Sequence, residues 1–210
     1  MTIRLTAVLA TLLLAACTPA GSPDEVGEAE PARAEAPAVQ AADPAQDCLL
    51  LVWSEQEDPD IEFDRTHDTV KGGAISCATG TSASQFEAAI SALRDAARSG
   101  DKARLLREVG IPLLYIDARG ERRELKGEEI KQLFDEVFDA RMIDVLQNLD
   151  LSQMTVEKDQ GAFFELGSLW LVVDATGGRP RVVTVNRQAL GEAAEAARRA
   201  ADEGGGEVLD

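Results

Sequence analysis

Gly161-Ala162-Phe163-Phe164-Glu165-Leu166-Gly167-Ser168-Leu169-Trp170-Leu171-Val172-Val173 holds two groups of large apolar residues with one charge, Glu165, between them. The stretch predicts a long strand over 162–174, entered through a turn at Asp159-Gln160-Gly161. From Leu169 to Val173 both faces are apolar, which predicts a central strand covered on both sides. Shorter runs predict neighbouring strands over 153–158 and over 181–186, the latter after a turn at Thr176-Gly177-Gly178. Three meandering strands therefore close the folded part.

Upstream the period changes from two to between three and four. Ile130, Leu133, Phe134, Val137, Phe138, Met142, Val145, Leu146 and Leu149 trace one stripe, which predicts a single long amphipathic helix. Glu128 and Glu129 suit its positive end. Before it, Pro112 opens a strand through Ile116, and Asp117-Ala118-Arg119-Gly120 turns the chain back towards Leu125. Two helices come earlier still. Phe86, Ala89, Ile90, Leu93, Ala96 and Ala97 mark the first, with a capping box at Ser84 and Glu87 and a stop at Gly100. Asp101 caps a short second one closed by Gly110. In the most N-terminal part, the apolar run from Cys48 to Trp53 reads as a strand. The acidic stretch 55–71 reads as an edge strand or ordered loop, and 74–77 as a returning strand after Gly72-Gly73.

The order of helix, helix, strand pair, long helix and three strands resembles the nuclear transport factor 2-like, or SnoaL-like, superfamily over 84–187. Gly161 to Trp170 resembles the Gly…Gly-x-x-Trp strand of its uncharacterised secreted members. The resemblance implies an α+β domain in which a curved antiparallel sheet wraps helices as a cone, with a pocket at the open end. It also implies dimerisation through the sheet face. A short disulfide-stapled β extension, 47–83, would precede the cone, and an Ala-rich helix with an acidic tail, 188–210, would follow it.

The chain begins Met1-Thr-Ile-Arg4, continues with about ten apolar residues and ends that segment in Leu14-Ala15-Ala16-Cys17. An apolar core of that length fits a signal peptide and is too short for a spanning helix, which takes about 20 residues. Leu14 to Cys17 resembles the lipobox of bacterial lipoproteins. The resemblance implies cleavage after residue 16, acylation of Cys17 with palmitate-type chains, and an outer-membrane site facing the periplasm, since Thr18 follows the cysteine. Residues 17–46 are Ala-, Pro- and Glu-rich and read as a disordered acidic linker with a reach of about 30 Å.

Cys48 and Cys77 remain as an even pair without the spacing of a redox or metal motif, so they are expected to form a disulfide. The net charge of −17, from 38 acids against 21 bases, argues against nucleic acid as a partner. The membrane, through the lipid anchor, is the expected attachment. No G-x-S-x-G, P-loop, C-x-x-C or H-E-x-x-H occurs, and no cofactor or metal is expected. Asp58 to Asp64 alternates acids as a calcium loop does, but lacks its glycine and its final glutamate. The one histidine, His67, lies upstream of the cone. Enzymes of the resembling superfamily use Asp, His or Tyr inside theirs. Tyr115, Phe134, Phe138, Phe164 and Trp170 are the candidate pocket residues, and Glu165 is the one weak candidate for a general base. The expected function is a non-catalytic, membrane-anchored binding domain for a small apolar ligand or an envelope protein. A small hydrolase, isomerase or dehydratase using Glu165 or Tyr115 is the alternative.

Overall fold

Why Cys48 to Trp53 coils rather than extends follows from where its leucines go. In the computed structural model, which describes residues 44–173 and 178–204, helix α1 spans Pro44–Ser54 and buries Leu49 and Val52, three apart on one face. A short apolar run has no period of its own to choose between strand and helix. Leucine is a good helix former, and packing of that one face decides the outcome. The expected signal peptide, the expected lipidation site Cys17, the expected linker up to residue 43, the expected turn at Thr176-Gly177 and the residues after 204 lie outside the described residues.

The acidic stretch is also helical. Helix α2, Ile61–His67, starts where the Asp60 carboxylate accepts a hydrogen bond from the Phe63 amide at 3.1 Å. Strands β1, Thr69–Val70, and β2, Gly73–Ala74, form a minimal hairpin. Helix α3, Ile75–Thr79, follows at once. The buried Asp68 side chain accepts from both the amide and the hydroxyl of Ser76, each at 2.7 Å. Cys48 on α1 is bonded to Cys77 on α3, 29 residues on. Closing such a loop is worth about 3–4 kcal/mol in the chain-entropy picture. The extension is therefore stapled as expected but mainly helical, not β.

Helix α4, Ala83–Ser99, ends at Gly100 in the left-handed conformation. Its capping box joins Ser82 to Gln85, two residues before the expected one. Ser84 instead gives its amide to the buried Asp64 carboxylate at 2.7 Å. Asp101 caps α5, Lys102–Arg107, through the Ala103 and Arg104 amides. The chain then extends early, so Gly110 and Pro112 lie inside strand β3, Val109–Ile116, rather than before it. After the expected turn comes β4, Arg122–Leu125.

The expected long helix is three short ones: α6, Gly127–Gln132, α7, Phe134–Val137, and α8, Ala140–Gln147. Leu133 and Phe138 leave helical geometry, and Asp139 restarts the chain by accepting from the Met142 amide at 3.0 Å. A carboxylate that can cap a new helix competes with continuation of the old one. The apolar stripe survives the breaks: Ile130, Phe134, Val137, Phe138, Met142, Leu146 and Leu149 are all buried.

A 3-10 turn, Leu151–Gln153, leads into β5, Thr155–Glu157, and β6, Gly161–Phe164. The expected long middle strand then breaks. Glu165, Leu166 and Gly167 all have positive φ, at 45°, 55° and 87°. The chain reverses into β7, Leu169–Val172, which pairs antiparallel with β6, Phe163 opposite Trp170. Strand β8, Arg181–Asn186, and helix α9, Arg187–Gly204, complete the order.

The six-stranded sheet runs β4-β3-β8-β7-β6-β5. It is mixed rather than antiparallel, because β3 and β8 pair parallel. Register shifts lie between Val109 and Leu114 and between Trp170 and Leu171, and such irregularities bend a sheet. Leu113, Leu169, Leu171, Val182 and Val185 on one sheet face are buried with Phe86, Ile90 and Leu93 of α4 and Met142 and Leu146 of α8 in one core. The molecule is thus α+β, helices against a curved mixed sheet.

Candidate functional site

The five candidate pocket residues do not converge. Phe164 is buried in the core cluster, opposite Leu169 in the β6–β7 ladder. Trp170 lies on the other sheet face, its ring 4.7 Å from that of Phe163. Glu165 is exposed on the reversal between β6 and β7. It is not set in an apolar strand, because the break in that strand carries it outward. With Phe163, Phe164 and Leu166 it borders a separate groove of about 380 Å³ that also reaches Lys71 and Asn148.

Tyr115 is only 1% exposed. Its ring packs under the Arg123 guanidinium at 5.2 Å, and its hydroxyl interacts with Glu136 and Arg187. Arg123 pairs with Glu136 at 2.6 Å, Arg187 pairs with Asp139, and Arg187 also donates to the Glu136 carbonyl at 2.8 Å. The hydroxyl is therefore the buried end of a charged seam joining β4, α7 and the start of α9, not a donor waiting for a ligand. Burial, followed by the Glu136 carboxylate, raises its pKa above 10.0, against the pull of Arg187. Tyr115 is the only tyrosine, so absorbance at 295 nm reports it alone. The expected titration midpoint lies above 10 in the folded protein and returns to about 10 in guanidinium. The unfolded chain releases this proton first as pH rises. The stabilisation is thus intact below pH 10 and is lost as pH climbs through the raised value.

Phe134 and Phe138 do come together. Their ring centres are 5.2 Å apart, and they line a pit of about 180 Å³ with Ala96, Ala97, Leu105 and Ile143. The pit exists because α4 ends in small residues, Ala96, Ala97 and Gly100, opposite two aromatic rings. At its lip the Lys102 ammonium sits 4.9 Å from the Phe134 ring centre and binds both Asp135 carboxylate oxygens, at 2.7 and 2.9 Å. An apolar cavity of roughly 150 Å³ is enough to hold one aromatic ring. Among its lining residues only Lys102, Asp101 and Asp135 ionise; Lys102 is held by Asp135, and Asp101 caps α5. The geometry suits capture of an apolar group and offers no acid–base pair aimed at the floor.

Lys102 was not foreseeable as part of a site, since its partner Asp135 lies 33 residues away. The small residues at the end of the α4 stripe were the available signal.

His67 is exposed at the end of α2, stacked on Phe63 at 4.0 Å, with Nδ1 2.9 Å from the Phe63 carbonyl. Of the acids once comparable to a calcium loop, Asp60 caps α2 and Asp64 points into the interior. No group of three or more potential metal ligands occurs among the described residues. No helix among them is long and apolar enough to cross a membrane. Comparison with known protein families, curated proteins and solved structures finds no match.

Proposed function

We propose that this chain is a lipid-anchored envelope protein whose domain holds a small apolar group, without catalysis, in the pit between Phe134 and Phe138. The group is a free ligand or a side chain projecting from an envelope partner. The export signal at Leu14 to Cys17 supports an acylated Cys17 and a periplasm-facing outer-membrane site. The helix–sheet order and the bent sheet support a member of the nuclear transport factor 2-like superfamily. Self-association through the outer sheet face, where Phe163 and Trp170 are half-buried, belongs to the same proposal. The observation that carries it is the apolar pit with its cation-held lip. An enzyme using Glu165 or Tyr115 has less support, because the first is exposed and the second is engaged by Glu136 and Arg187.

Filling the pit tests the proposal. Ala97→Leu adds three carbons at its wall. Native mass spectrometry of the full chain from its own envelope is expected to show an apolar adduct on the unaltered protein and none on the variant. Overpacking costs about 1–3 kcal/mol, so the thermal midpoint is measured alongside. An adduct retained by a folded A97L variant, or no adduct on either protein, would refute pit binding.

A further inference from the structure

Helix α1 keeps apolar residues on both sides. Leu49 and Val52 are buried, whereas Leu50 and Leu51 are 59% and 70% exposed. At 3.6 residues per turn, Asp47, Leu50, Leu51 and Ser54 share the outward face. That face is held firmly. The disulfide fixes α1 to α3, and the Trp53 indole donates to the buried Asp64 carboxylate at 2.8 Å. Two adjacent leucines on a clamped helix thus keep in water apolar surface that burial would stabilise.

The charges along this segment are predominantly acidic. Asp47, Glu55, Glu57, Asp58, Asp60 and Glu62 are all exposed, and no lysine or arginine occurs from 44 to 64. None of the six is ion-paired with a described residue. The nearest base in sequence, Arg65, lies over the Trp53 ring at 5.4 Å. Where α1 ends, Glu55, Glu57, Asp58 and Asp60 border a hollow of about 460 Å³. Gln56, which also lines it, bonds Ser82 and Gln85 at 3.1 and 3.0 Å.

From this combination we infer that the outward face of α1 docks a basic amphipathic segment of another protein. Its apolar side chains cover Leu50 and Leu51, and its lysines or arginines lie over Glu55, Glu57 and Asp58. Charge complementarity selects that occupant. A second copy of this chain would set acid against acid, and an anionic bilayer would repel the rim. The surface is separate from the pit, and the inference depends on neither the pit nor the lipid anchor.

The test places a photo-crosslinker in the full chain in its own cells, Leu51→p-benzoylphenylalanine, with the same change at exposed Glu121 as control. Crosslinked peptides are then sequenced. The expected adduct at position 51 exceeds that at 121 and maps to a protein segment with lysines or arginines interleaved among apolar residues. Adding E55Q, E57Q and D58N together lowers its yield about fivefold, the scale set by three exposed rim charges. Adducts to a second copy, to lipid or to a non-basic segment would overturn the inference. So would a yield equal to the control, or one unchanged by the charge substitutions.

Discussion

Replacing Asp64 with alanine is expected to cost about 2–3 kcal/mol, because two partly buried donors lose their acceptor, at roughly 1 kcal/mol or more each. Asp64 is fully buried on α2. One carboxylate oxygen accepts from the Trp53 indole of α1 at 2.8 Å, and the other accepts from the Ser84 amide in the first turn of α4 at 2.7 Å. A single side chain thus ties three helices together and satisfies one of the open amides at the start of α4. Asp64→Asn keeps one acceptor oxygen but turns an NH2 towards a donor, so its cost should fall between those of alanine and the unaltered protein. Urea unfolding followed by circular dichroism measures both. A loss under about 0.5 kcal/mol for D64A, the range of ordinary surface changes, would mean that water replaces the carboxylate and that the three helices do not depend on it.

The second large effect is expected at Gly72. A Cβ there would lie 2.0 Å from the Val156 carbonyl oxygen, and φ is +98°. The neighbouring Lys71 carbonyl accepts from the Val156 amide at 2.8 Å, so the small hairpin is stitched onto an edge strand of the sheet, β5. Alanine must therefore push backbone from backbone, not displace a flexible side chain. Gly73 is the built-in comparison. It has φ +134° but nothing within 4 Å of a built Cβ, so G73A carries only conformational strain, on the order of 1–3 kcal/mol. G72A is expected to lower the denaturation midpoint well beyond G73A and to speed hydrogen exchange of the Val156 amide. Equal effects of the two substitutions would mean that strain, not contact, sets the requirement for glycine.

Most elements were legible where the sequence carries its own punctuation. Gly100 and Asp101 end one helix and start the next, Asp117 to Gly120 turns the chain between β3 and β4, and β8 falls where the alternation places it. The disulfide followed from the cysteine count. What failed was information supplied by packing. Cys48 to Trp53 has no period, so only burial of Leu49 and Val52 reveals the helix. Asp139 looks like one more polar residue on a helix until its carboxylate is seen to start another. Glu165 and Leu166 take positive φ without being glycines, and composition gives no warning of that. The pit was half legible: two of its aromatic residues were foreseen, but the space between them is defined by small residues on α4, some forty positions earlier.

The strand that comes last in the sheet's sequence sits at its middle, with β3 on one side and β7 on the other. Val109 must wait for Val182 before the parallel ladder can form, a contact of long sequence range that makes for slow folding. A nascent chain halted before Arg181 would hold two half-sheets, each with an unsatisfied edge of the kind that invites aggregation. Completion of this domain is therefore gated by delivery of its C-terminal end, and shortened products are expected to be insoluble rather than partly folded.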